Sequence, residues 1–201
     1  MRGVVWCNGA MPSESLLDMV LSDGVPVFGV DGGADKAKAA GVSLEGVLGD
    51  LDSVDKSNWG GIVHELQEQS SSDLSKSIAY LNELGYDEIE VVGIEGGRPE
   101  HVLGIWGALA EAPLGCTVRL HHEDGISHRV HPDTGEFQLN VPKGREFSVF
   151  ALEPCRASII GARWQVEDEM LSFSTRGLHN EGTGGTVVIS ANGVLVIIVP
   201  R

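Results

Sequence analysis

The sequence predicts a parallel-sheet, three-layer α/β domain followed by a small antiparallel β-sandwich. Two changes of pattern carry this reading. Up to residue 124, apolar runs of strand length alternate with stretches of helical spacing, the signature of βα units joined by right-handed crossovers. From residue 125 helical periodicity disappears, and short apolar runs are separated by turn residues, as in a sandwich. The expected division is therefore 1–124 and 125–201, with the boundary at Glu123-Asp124-Gly125.

In order, Gly3 to Cys7 reads as a buried strand that Asn8-Gly9 breaks. Pro12 with Ser13 or Ser15 opens a helix running to Leu21. Val25 to Val30 is a strand entering Asp31-Gly32-Gly33-Ala34-Asp35, followed by an Ala/Lys helix that Gly41 ends. Val47-Leu48 leads into an acidic loop. Leu74, Ile78 and Leu81 give Asp73 to Leu84 helical spacing, closed by Gly85. Ile89 to Ile94 is a strand entering Glu95-Gly96-Gly97-Arg98; His101 to Ala110 is a helix and Thr117 to His121 a strand. The expected β runs of the second half are 135–139, 146–152, 157–160, 171–173, 185–190 and 194–199. Asn192-Gly193 between two apolar runs is a hairpin signal.

The chain has 201 residues, and its 42% hydrophobic content is enough for a real core. Asp+Glu is 29 against Lys+Arg 14, a formal charge of -15. That balance opposes nucleic acid and anionic membrane as partners, since both require clustered cations. An anionic substrate then needs a metal ion or local Arg and Lys. Cys7, Cys116 and Cys155 stand far apart in no CxxC spacing, as reduced thiols do. No apolar run reaches the length of a membrane span, and the N-terminus lacks the features of a signal peptide. The expectation is a cytoplasmic protein. His121, His122, His128 and His131 lack the paired short spacings of a structural zinc site.

Three strands run out into polar, Gly-rich loops, Asp31 to Ala34, Gly49 to Ser53 and Gly96 to His101. In a parallel sheet such loops share the carboxyl edge, where α/β proteins bind ligands. Asp50 and Asp52, two residues apart, are hard oxygen donors suited to Mg²⁺, which shares its remaining positions with water and phosphate. The competing reading is an Asx-rich turn capping the next helix.

These loops fall in a known order. Asp31-Gly32-Gly33-Ala34 is followed by Gly49-Asp50-Leu51-Asp52-Ser53, then Glu68-Gln69-Ser70-Ser71-Ser72-Asp73, Gly96-Gly97-Arg98-Pro99-Glu100-His101 and Ser174 to Asn180. In this the chain resembles the thiamine pyrophosphokinase family, which moves a diphosphate from ATP to thiamine. The resemblance implies a catalytic α/β domain, a C-terminal β-sandwich for thiamine binding and dimerisation, and a homodimer with thiamine bound where subunits meet. It implies that Asp50, Asp52 and Asp73 hold Mg²⁺ against the ATP phosphates, with Asp31 and Gly32 nearby. It places Ser72 and Arg98 on phosphate, Gln69 near thiamine or nucleotide, and Trp164 and Asn180 on the thiamine side. Asp73 or Glu100 is the expected general base.

Departures from the family pattern bear on the acceptor. Glu68 and Ser70 replace two acids, and Glu100 replaces an Asp one methylene shorter. They leave open another heterocyclic alcohol, such as a pterin, and a noncatalytic nucleotide- or thiamine-binding module. Retention of Asp50, Asp52, Asp73 and Arg98 argues against the module.

Overall fold

The computed structural model describes residues 1–52, 54 and 56–201. The chain divides into two compact units, Met1–Glu123 and Asp124–Arg201.

Among its described residues the first unit holds six parallel strands and four α-helices. They are β1 (Arg2–Trp6), α1 (Glu14–Val20), β2 (Val27–Val30), α2 (Gly33–Ala39), β3 (Gly46–Gly49), β4 (Val63–Glu65), α3 (Asp73–Glu83), β5 (Glu88–Val92), α4 (Pro99–Glu111) and β6 (Thr117–His122). The strand order is β6-β5-β1-β2-β3-β4. From β1 the chain steps outward through β2 and β3 to β4, then returns to the other side of β1 for β5 and β6. Right-handed crossovers therefore put α1 and α2 on one face and α3 and α4 on the other. One face is closed by Val4, Trp6, Val27 and Val92 packing against Leu16 and Val20 of α1 and Ala37 of α2. On the other, α3 lies on β2 and β3 and against α4, burying Leu74, Ile78 and Leu81.

Local signals set the helix ends. Ser13 caps α1, its Oγ accepting the Leu16 N–H, and Ser72 caps α3, accepting from Ser75. Gly41 and Gly85 follow α2 and α3 with φ of 79° and 90°, the left-handed region that suits glycine after a helix. β4 was not expected. It is a three-residue, partly exposed strand at the edge of the sheet and has no apolar alternation to betray it.

A buried charge cluster ties β5 to its neighbours. Glu90, 4% exposed, lies 2.6 Å from Arg119 Nη1 and 2.7 Å from His121 Nε2, both on β6, and 3.4 Å from Arg2 Nε on β1. Burial pushes its carboxyl up, but the His121 bond and the Arg119 charge outweigh that and hold it at about 2. The folded value lies below the ordinary one. This stability is therefore present above the usual carboxylate range and is lost as pH falls from about 4.5 toward 2. Glu90→Gln strands cations beside a buried amide and is expected to cost about 3 kcal/mol. Urea unfolding at pH 7 measures it, and a loss below about 1 kcal/mol would show that water already reaches the cluster.

The second unit is two antiparallel sheets. They are built from β7 (Gly125–Val130), β8 (Phe137–Val141), β9 (Glu146–Ala151), β10 (Cys155–Ile160), β11 (Val166–Leu171), β12 (Asn180–Glu181), β13 (Gly185–Ala191) and β14 (Leu195–Pro200). One runs β12-β9-β14-β7, the other β11-β10-β13-β8. Phe147, Val149, Leu195 and Ile197 of the first meet Ala157, Ile159, Val187 and Ile189 of the second in one core, as a sandwich requires.

Three expectations need correction here. Asn192-Gly193 does not close a hairpin: β13 pairs with β10 and β8, and β14 with β7 and β9, so the turn carries the chain from one sheet to the other. Asn192 is instead held against β10, its Oδ1 accepting the Arg156 N–H at 2.8 Å. The run expected at 171–173 ends at Leu171 and begins at Val166, on an edge strand whose Glu167 to Met170 are exposed. β7 was missed because its buried positions include Ser127 and Arg129, which break the apolar alternation.

Candidate active site

In an open parallel sheet the crevice forms where the strand order reverses, outside the carboxyl ends. Here that point lies between β1 and β5, whose exit loops lead to helices on opposite faces. The loops are stitched together: Cys7 N–H donates to Val92 O at 2.9 Å and Gly9 N–H to Gly93 O at 2.7 Å. Lys36 of α2 ties the same turn down through the carbonyls of Asn8 (2.8 Å) and Gly9. Any Cβ at Gly9 would collide with the carbonyls of Gly93 and Glu95.

A cavity of about 560 Å³ opens at this point. Its walls come from Cys7 to Gly9 after β1, Asp31 after β2, Asp52 after β3, Ser72 and Asp73 at the start of α3, and Gly96, Gly97, Glu100 and His101 around the start of α4. Two helix N-termini and two left-handed glycines (Gly96 φ 73°, Gly97 φ 83°) thus border one space. Their N–H groups and dipoles favour an anion.

Three carboxylates converge there. Asp31, Asp50 and Asp73 each offer an oxygen, all within 4.8 Å of one another. The backbone is shaped to bring them together. Asp31 and Leu51 are left-handed, with φ of 46° and 64°. For a leucine that costs about 1–3 kcal/mol, offset by burial of its side chain and by its N–H bond to Asp31 Oδ1 at 3.1 Å. Gly49, at φ 134°, passes so close under the Asp31 carboxylate that a Cβ would overlap it. Asp50 N–H donates to Asp73 Oδ1 at 3.2 Å, and Asp52 N–H to Asp50 Oδ1 at 3.2 Å.

Asp31 carries the electrostatic mark of this crowding. Burial first, then the Asp73 carboxylate, with a smaller push from Asp50, raise its carboxyl to about 7 against the pull of the Leu51 N–H. Three mutually repelling oxygens of hard character, with hydrogen-bond donors already on their outer sides, suit a divalent cation of the Mg²⁺ type.

The expected site residues fall into four groups. Asp31, Asp52, Ser72, Asp73 and Glu100 line the cavity, and Asp50 joins its carboxylate cluster. Gly32 lies against the Asn8 amide, which a Cβ at that position would have to displace. Arg98, at the cap of α4, is 73% exposed and bonds Glu100 Oε1 through Nε at 2.8 Å, while Gln69 is exposed on the segment before α3. Neither forms part of the wall. Trp164 and Asn180 line another cavity, of about 510 Å³, within the β unit. Asn180 grips the Trp164 backbone at both ends, accepting its N–H at 3.2 Å and donating to its carbonyl at 2.8 Å. The Arg163 guanidinium lies 4.5 Å from the Trp164 ring centroid. Ser53 lies outside the described residues.

Sequence reasoning passed over Cys7, read as the end of a strand, Asn8-Gly9, read as its breaker, and Lys76. The signal for the first two was available, since β1 is a parallel strand and its exit belongs to the ligand edge. For Lys76 the signal is its i,i+3 spacing from Asp73 on one helix face.

Residues 19–118 match the model of the thiamin pyrophosphokinase catalytic domain. This span holds Asp31, Asp50, Asp52, Asp73, Arg98 and Glu100. The chain belongs to the thiamin pyrophosphokinase family. Solved thiamin pyrophosphokinase structures share its fold. That of the Bacillus subtilis enzyme superposes with a TM-score of 0.81 at 20% identity, covering 100% of this chain and 99% of that one. For the Geobacillus thermodenitrificans protein the values are 0.76 and 19%, with 100% and 98% covered. The yeast enzyme gives 0.72 and 11%, with 99% and 86% covered. No curated protein matches by sequence. Membership in the thiamin pyrophosphokinase family also accounts for the two-unit build, since these relatives align over both units.

Proposed function

We propose that the chain converts thiamine to thiamine diphosphate, taking the diphosphate from ATP and releasing AMP. The observation that carries this is the convergence of Asp31, Asp50 and Asp73 at the switch-point cavity of a thiamin pyrophosphokinase domain. In the reaction the thiamine hydroxyl oxygen bonds the β-phosphorus and the bond from that phosphorus to the α-phosphate oxygen breaks. The task is chiefly positioning and charge neutralisation. Mg²⁺, when held by Asp50 and Asp73 with Asp31 and Asp52 beside them, supplies positive charge to the phosphate oxygens. Ser72 and the N–H groups around Gly96 and Gly97 orient those oxygens, and Arg98, exposed at the cap of α4, exchanges Glu100 for phosphate when ATP binds. Asp73 or Glu100 on the wall takes the hydroxyl proton.

The cavity of the β unit is the proposed thiamine-side pocket. Trp164, half exposed over it, offers a ring for the heterocycle, and Asn180 fixes that ring's backbone. Exposed Trp164, Met170 and Phe173 support a homodimer that covers this side. Cysteines that stand far apart in no CxxC spacing accord with a cytoplasmic enzyme, and among the described residues no helix is long and apolar enough to cross a membrane. Trp164→Ala is expected to raise KM for thiamine about tenfold with kcat nearly kept, the pattern of lost uniform binding. Steady-state kinetics at saturating ATP reads this, and an unchanged KM would remove Trp164 from the pocket.

AMP release from ATP and Mg²⁺, with and without thiamine, tests the proposal. Thiamine-dependent AMP with equimolar thiamine diphosphate supports it. Folded protein that releases none overturns it.

A further inference from the structure

We infer that Lys76 is a positioning residue that locks Asp73 and the 66–68 segment into the geometry of the carboxylate cluster. This rests on reading Asp31, Asp50 and Asp73 as a divalent-cation site.

Lys76 is only 9% exposed, although lysine is among the residues least often buried. Its ammonium has three donors and finds three acceptors: Asp73 Oδ1 at 2.6 Å, Glu68 O at 3.0 Å and Leu66 O at 3.2 Å. Among the described residues, no other cation is ion-paired to Asp31, Asp50 or Asp73. The contacts close a ring. Leu66 N–H donates to Gly49 O at 2.8 Å, Gly49 is joined to Asp50, and Asp50 N–H returns to Asp73 Oδ1. Every link therefore runs from the end of β3, through the segment that leads to Ser72, to the first turn of α3 and back.

Two consequences follow from this geometry. Lys76 offsets one of three crowded negative charges from outside the cavity. It also holds one oxygen of Asp73, so that the carboxylate cannot rotate freely. Partners of this kind around metal ligands usually change affinity 10–100-fold when removed.

The test uses the full chain and Mn²⁺ as probe, followed by calorimetry and by the Mn²⁺ electron spin signal, without ATP. Lys76→Met is expected to weaken Mn²⁺ binding at least about tenfold and to speed amide exchange across residues 66–69. Lys76→Arg, which keeps the cation, is expected to restore most of the affinity and the slow exchange. Should Met prevent folding, Lys76→Gln is judged by the same threshold. Mn²⁺ affinity in the folded neutral variant equal to or tighter than the parent's overturns the inference while leaving the divalent reading intact. A parent protein that does not bind Mn²⁺ overturns both.

Discussion

Asp73→Asn is expected to lower thiamine-dependent AMP release by about three orders of magnitude, with the fold preserved. The charge stabilisation supplied by a bound divalent ion is worth several kcal/mol, and about 4 kcal/mol corresponds to roughly a thousandfold in rate. Asparagine keeps the shape and an acceptor oxygen for the Asp50 N–H. It removes the charge that pairs with Lys76 at 2.6 Å. Some stability should go with it, and Asp50→Asn, which breaks no ion pair among the described residues, serves as the control. Both variants should fall together in turnover while only Asp73→Asn melts measurably lower. A rate within tenfold of the parent for either would take that carboxylate out of the proposed metal set.

The second large effect is a stability that moves with pH through Asp31. Its carboxyl stands near 7 in the folded chain and in the ordinary carboxylate range when unfolded, because burial and the Asp73 and Asp50 carboxylates disfavour its charge. Between about pH 4 and 7 the native state holds a proton that the unfolded state has lost, so stability falls as pH rises through that window. The loss is of the order of a few kcal/mol in metal-free protein. Asp31→Asn removes it. Asparagine tolerates the left-handed φ of 46° and can still accept the Leu51 N–H, so the loop survives. Metal-free Asp31→Asn is therefore expected to melt higher than the parent at pH 8 and to lose most of the parent's pH dependence, while its turnover collapses. Adding Mg²⁺ at pH 8 should stabilise the parent and leave the variant nearly unmoved. A variant that melts lower than the parent at pH 8 would mean that the Asp31 charge is already compensated in the protein.

The two predictions share a physical root. The chain accepts electrostatic strain and left-handed backbone at Asp31 and Leu51 to keep three carboxylates in one space. Such strain persists only where surrounding structure over-determines it. Gly49 beneath Asp31, Lys76 behind Asp73 and the stitched β1 and β5 exits do this here.

Much of this was legible in the chain itself, and the reason is locality. Strand and helix patterns with periods of two and 3.6, the serine caps, and glycines after helices act within a few residues, so the α/β and β segments could be read in order. The acidic loops were legible for the same reason: Asp31, Asp50 and Asp73 each stand at the exit of a strand or the start of a helix. What the sequence could not decide was partnership at long range. It offered Asp50, Asp52 and Asp73 as one set with Asp31 nearby. The fold decides the spacing within that set: Asp31, Asp50 and Asp73 bring oxygens within 4.8 Å of one another, while Asp52 lines the cavity and donates its N–H to Asp50 Oδ1. It offered Asn192-Gly193 as a hairpin, whereas burial of the apolar faces of β13 and β14 in opposing sheets sent that turn across the sandwich. Sequence reasoning did not single out Lys76, and only tertiary structure gave its ammonium three acceptors. Residue type and local spacing determined which groups the chain possesses and where along it they lie. Only the packing of β-strand exits from distant parts of the sequence decided which of them share a few ångströms, because that proximity is fixed by sheet order and burial.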